Sequence, residues 1–133
     1  MEHKKEESTM DENKLGVMET RFAEMIWASA PIRTGDLVKA CQEAFGWKRT
    51  TTYTMLKRLC QRGIFQNDNG TVLVQIPKED FHKRQSEQFV ADTFGGSLPA
   101  FIAAFTKGKT LSDKDADEIQ RLIDQSRIKK EGD

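Results

Sequence analysis

The chain has 133 residues, 37% apolar and 32% charged, with 21 Lys and Arg balancing 21 Asp and Glu. That length suits one small globular domain or two very small ones and argues against a multidomain enzyme. No apolar run reaches the roughly 18 residues that cross a bilayer, and the N-terminus is charged where a secretory signal is apolar, so the expectation is a cytoplasmic protein with no direct membrane insertion.

Residues 1–12 carry almost no apolar side chains and are expected to be a disordered tail outside the fold. From there Leu15, Met18, Phe22, Met25 and Ile26 recur at three- and four-residue steps. This is the inner face of an amphipathic helix that ends near Trp27 to Ser29, where Ala30-Pro31 stops it. After a short extended piece at Ile32 and Arg33, Thr34 is placed to cap a second helix. Its buried face is Leu37, Val38, Cys41, Ala44 and Phe45, and Gly46 ends it. A third helix begins near Lys48 to Thr50 and runs to about Gln61. Thr52, Met55, Leu56 and Leu59 face inward, leaving Arg49, Thr50, part of Thr51, Tyr53, Thr54 and Lys57 in the open. Ile64 to Gln66 and Thr71 to Ile76 read as the strands of a hairpin joined by Asn67-Asp68-Asn69-Gly70, residues that tolerate positive φ.

Pro77 breaks the second strand, and three helical patterns follow. The first, Lys78 to about Thr93, carries Phe81, Phe89, Val90 and Phe94 and closes at Gly95-Gly96. The next opens at Ser97 with Leu98, Phe101, Ile102 and Phe105 on one face, and Pro99 is tolerated in its first turn. The last starts at Ser112, with Asp115 three residues on as in a capping box, and buries Ala116, Ile119, Leu122 and Ile123. Three short Phe-rich helices bury too little surface to close a core by themselves. They call for a partner surface, either a second copy of the chain in a two-fold homodimer or the first domain.

The order helix, helix, helix, hairpin is that of a winged helix-turn-helix, whose third helix lies in the DNA major groove while the wing reaches the flanking backbone. The expected fold is mainly α with a small β-hairpin wing: residues 13–77 form the winged helix-turn-helix domain and residues 78–133 a helical dimerisation domain. Net charge near zero hides a local excess. Lys48, Arg49, Lys57, Arg58 and Arg62 occur with no acid among them. Phosphate binding depends on such local charge, although a basic run by itself is more often the mark of a solvated helix face. Thr50, Thr51, Tyr53 and Thr54 are candidates for base edges. Arg49, Lys57, Arg58 and the wing tip at Asn67, Asn69 and Gly70 are candidates for the DNA backbone. The rival reading is a winged helix that binds protein and no DNA, since fold does not settle function.

Three stretches carry a resemblance: Leu15 to Trp27, with Glu19 and a closing Met25-Ile26-Trp27; Trp47 with Thr51, Thr54, Leu56, Arg58, Leu59 and Gly63; and Phe94-Gly95-Gly96-Ser97-Leu98 leading into Phe105. Together they resemble the BlaI/MecI penicillinase-repressor family from Leu15 to about Asp124. The resemblance implies a dimeric bacterial repressor on a palindromic operator, with Phe89, Phe94, Leu98, Phe101, Ile102, Phe105, Ile119, Leu122 and Ile123 supplying the dimer face. It also implies derepression by a membrane-bound, β-lactam-responsive sensor protease that cuts the second dimerisation helix. The matching bond is Ala104–Phe105, where Ala104 replaces the Asn of the best-known members. Thr51 and Thr54 match the family in the recognition helix, whereas Thr50 and Tyr53 depart from it, so the operator need not be the same. A branch that represses copper-homeostasis genes carries paired C-terminal cysteines, and residues 123–133 contain none, which argues against a Cu(I) sensor.

No cofactor or metal is expected. Cys41 and Cys60 lack ligand spacing and sit in apolar helical patterns, where small core residues are expected. His3 and His82 are isolated and read as surface residues. There is no phosphate loop or nucleophile–base set at motif spacing. The acidic run Asp113 to Glu118 lies where a helix N-terminus favours negative charge, so the expectation is a protein without catalysis.

Overall fold

The computed structural model describes residues 14–127, and the tail expected over residues 1–12 lies outside them, as does His3. Two compact units are present, divided between Phe89 and Val90. The first contains helix α1 (Val17–Ser29), strand β1 (Ile32–Arg33), helices α2 (Thr34–Phe45) and α3 (Arg49–Gln61), and strands β2 (Phe65–Asp68) and β3 (Thr71–Val74). Helix α4 (Lys78–Phe94) runs across the division, and α5 (Leu98–Thr106) and α6 (Asp113–Ser126) follow.

Helix α1 starts two residues later than its apolar pattern. Gly16 provides the extended flanking residue, and its N–H donates to the Glu19 carboxylate at 2.9 Å, half of a capping box. Leu15 therefore packs from outside the helix, and Met18 is exposed; Phe22, Ala23 and Ile26 form the buried face. At the other end Ala30 is extended, as a residue before proline must be.

Thr34 does not cap α2. Arg33 is drawn into β1, so Thr34 becomes the first helical residue, and its N–H donates to the Gly70 carbonyl at 2.9 Å in place of a hydroxyl cap. Leu37 and Cys41 are buried and Phe45 packs partly against the core, but Ala44, expected inside, is exposed. Gly46 ends the helix at φ 69°, a left-handed conformation that glycine adopts without steric cost.

The wing is a three-stranded antiparallel sheet of order β1-β3-β2, with Ile32 opposite Val72 and Phe65 opposite Val74. Both hairpin strands shift from their expected bounds. Asn67 and Asp68 extend β2 and leave Asn69 and Gly70, at φ 51° and 91°, as a two-residue turn of the primed type that suits strand twist. Beyond Val74, the N–H groups of Gln75 and Ile76 both donate to the Ile64 carbonyl, so the ladder ends there in a local turn.

Phe22, Ile26, Leu37, Leu56, Leu59, Ile64, Phe65 and Val72 form one closed core. Phe81 of α4 joins them at 1% exposure. The boundary expected at residue 77 therefore cuts through this unit: α4 is held to the winged helix by Phe81 and by the Trp27 ring, whose centroid lies 5.7 Å from that of Phe81 and 5.5 Å from that of Phe65. The Trp27 indole N–H also donates to the Ile76 carbonyl at 3.0 Å. Cys41 is wholly buried and Cys60 partly so; burial pushes both thiols above their ordinary pKa.

In the second unit Ser97 and Ser112 each cap their helix, accepting from the N–H of Ala100 and Asp115 at 3.1 and 3.0 Å. Phe101 lies between Phe94, which it meets edge to face, and Phe105, to which it is tilted, at centroid distances of 5.6 and 6.0 Å. Neither α5 nor α6 buries a residue, however, so Ala116, Ile119, Leu122 and Ile123 are exposed in the single chain where the sequence pattern places them inside. No single helix among the described residues is long and apolar enough to cross a membrane.

Candidate nucleic-acid interface

Helix α3 is held by its inner face, where Thr52, Leu56 and Leu59 are buried. Thr52 is tolerated there because its hydroxyl turns back onto the Lys48 carbonyl, at 3.4 Å. The opposite side presents Arg49, Thr50, Thr51, Thr54, Lys57 and Arg58 to solvent, with Tyr53 half-buried. Along it, Arg49, Tyr53 and Lys57 follow one another at four-residue steps, and so do Thr50, Thr54 and Arg58, giving two adjacent stripes. The Arg49 guanidinium lies over the Tyr53 ring, 5.4 Å from its centroid, within cation–π range.

The basic residues differ in what holds them. Arg58 meets the Glu19 carboxylate at 3.4 Å, and Arg62 meets the same carboxylate at 3.8 Å while donating to the Lys14 carbonyl at 2.7 Å. Glu19 thus ties the C-terminal end of α3 to the start of α1, using one carboxylate oxygen for the arginines and the other for the Gly16 N–H. The Arg62 side chain is largely covered, whereas half of Arg58 remains open. Arg49 and Lys57 enter no ion pair among the described residues.

At the wing, Asn67 is occupied within the turn, its side-chain oxygen accepting the Gly70 N–H at 2.9 Å, and Asn69 is exposed at the tip. The β1–β3 pairing brings a cation that sequence reasoning did not single out. Arg33 donates to the Thr71 hydroxyl at 3.0 Å, and its guanidinium lies 3.5 Å from where a Cβ on Gly70 would stand. No local pattern marks Arg33; it reaches the tip because of a pairing across 38 residues.

The residues expected at a dimer face separate into two groups. Leu98, Ile102, Ile119, Leu122 and Ile123, together with Ser126 and Arg127, line an apolar groove of about 470 Å³. Phe94 and Phe101 are half-buried and meet edge to face, while Phe89 and Phe105 are exposed, the latter under the Lys109 ammonium 4.6 Å from its ring centroid. Ala104 and Phe105 both lie on the exposed surface of α5. His82 is exposed on α4, and no cluster of three His, Cys, Asp or Glu suited to a metal occurs among the described residues.

The family model described as "Penicillinase repressor" matches residues 15–125. Among curated proteins, the penicillinase repressor of Bacillus licheniformis is 24% identical over 116 residues, which cover 84% of this chain and 91% of that protein.

Proposed function

This chain belongs to the penicillinase-repressor family, a family of transcriptional repressors, and from that premise we propose that it works in the cytoplasm as a homodimer on a palindromic operator in duplex DNA. Each subunit lays α3 in the major groove. Thr50, Thr51, Tyr53 and Thr54 come near base edges, and Lys57 and Arg58 meet phosphates. The wing tip at Asn69 and Gly70, with Asn67 shaping the turn, follows the flanking backbone, and Arg33 adds a charge there. The observation that carries this reading is the solvent face of α3, which holds hydroxyls and cations and no acid, while the acid nearest its cations, Glu19, is engaged from below.

The two heads are coupled through the apolar face of α5 and α6. Apolar side chains left this open in one chain fit burial against a second copy, which contributes about 1.5–3 kcal/mol for each large side chain fully removed from water. Occupancy of the operator blocks the polymerase, and no cofactor or chemical step is needed. Derepression follows from cutting α5 at Ala104–Phe105 by a membrane-bound sensor protease. Severing α5 removes part of the face that joins the two copies, which uncouples the heads and forfeits the effective-concentration gain of linked half-sites.

Binding to the chain's own promoter fragment at two salt concentrations tests the reading. Affinity should fall steeply with salt, and Lys57→Ala should weaken binding uniformly across sequences and lower the salt slope by about two, since the dimer loses one phosphate contact in each subunit. Affinity that is indifferent to salt, and unchanged in a Lys57→Ala, Arg58→Ala double variant, would instead mark a protein-binding winged helix.

A further inference from the structure

Resting on the reading of α3 as the helix in the major groove, we propose that Arg49 is the base-selecting residue of this chain, taking guanine in each half-site. Charge alone would send it to a phosphate, but three observations point to a base. Arg49 is the first residue of α3, and the N-terminal residues of a recognition helix are those that reach base edges. Its guanidinium is laid over the Tyr53 ring one turn further on, at 5.4 Å, so the plane of the fork is held before DNA arrives and less freedom is lost on binding. It also enters no ion pair among the described residues, in contrast with Arg58 and Arg62 on Glu19, so engaging a base breaks no salt bridge.

The chemistry singles out guanine. A guanidinium offers two parallel N–H donors, and in the major groove guanine presents two acceptors, O6 and N7, at matching separation. Between Arg49 and Met55 the other outward side chains are Thr50, Thr51, Tyr53 and Thr54, none of which carries such a fork. Their hydroxyls and methyls can adjust to a neighbouring base. In this arrangement the ring face of Tyr53 positions Arg49.

The test uses the full-length chain and a duplex library with randomised half-sites, followed by affinity measurements on the selected site. Wild type should select a guanine at one position per half-site. Arg49→Lys should erase that preference by roughly ten- to a hundredfold while leaving affinity for unrelated duplex within about twofold, because the charge is kept and the fork is lost. Replacing the selected guanine by 7-deazaguanine, which lacks N7, should weaken wild type by a factor that largely disappears in Arg49→Lys.

If Arg49→Lys weakens every duplex equally and the guanine preference survives, Arg49 is a phosphate anchor and this proposal falls while DNA binding stands. If the loss on 7-deazaguanine is the same in both proteins, it also falls. A wild-type chain that selects no sequence at all would overturn the major-groove reading itself.

Discussion

Truncation of Leu122 measures directly whether the open face of α5 and α6 joins two copies. Leu122 is 59% exposed in the single chain and lines the apolar groove, so a partner covering it would remove roughly that share of its surface from water. Full burial of a leucine contributes about 1.5–3 kcal/mol, which makes this share about 1–2 kcal/mol per subunit. Two-fold symmetry uses the side chain twice, so Leu122→Ala should cost about 2–4 kcal/mol of association, on the order of thirtyfold to several hundredfold in the dimer dissociation constant. Alanine is the best helix former, so α6 itself should not melt and the loss can be assigned to the lost contact. Sedimentation equilibrium over a concentration series gives the constant, with Val17→Ala, on the exposed start of α1, as a control expected to change nothing. A Leu122→Ala chain that dimerises as tightly as wild type would refute the placement of the interface on this groove.

Other outcomes can be stated as briefly as they can be measured. Phe105→Asp should weaken dimerisation and operator binding together, read by sedimentation and by a promoter-fragment titration; a variant still fully dimeric would place the interface away from α5. Phe81→Ala should lower the stability of the first unit by about 3–5 kcal/mol, the cost of emptying a core aromatic, and a loss under 1 kcal/mol in a denaturant titration would contradict the anchoring of α4 there. Glu19→Gln should destabilise by up to about 1 kcal/mol, since the carboxylate serves two partly exposed arginines, and no measurable change would show the pairs to be energetically idle. Burial raises the native pKa of Cys41 and Cys60 above the ordinary 9.0, so stability is fully present below that value. It is lost as pH rises through it, because the unfolded thiols ionise before the native ones. A chain carrying Cys41→Ala and Cys60→Ala should lack that part of the alkaline loss, and an identical pH profile would disprove the link.

Local pattern was enough to place the start of every described helix within two residues, because an apolar stripe, a glycine after Phe45 and a serine before Leu98 or Asp113 act over a few neighbouring residues. The same stripe on α3 separates Thr52, Leu56 and Leu59 from the outward threonines, so most of the candidate interface is legible in the sequence. Family membership likewise shows in the residues from Leu15 onward.

What local pattern could not supply were the outcomes of pairing between distant segments. Ile32 and Arg33 are too few to declare a strand, and only their ladder with Val72 and Thr71 turns the hairpin into a three-stranded wing, starts α2 at Thr34 and carries Arg33 to the tip. Phe81 looks like any apolar residue of its helix until Trp27 and Phe65 close around it. Periodicity identifies which face of a helix avoids water but carries no information about what covers it. Thus the stripe of α6, read as buried, stands open in a single chain, whereas the stripe of α1 closes on core residues from Leu37 through to Phe81. Electrostatics behaves in the same way: Lys57 and Arg58 are adjacent in sequence, yet the packing of α1 against the end of α3 gives Arg58 a carboxylate partner, whereas Lys57 has none among the described residues.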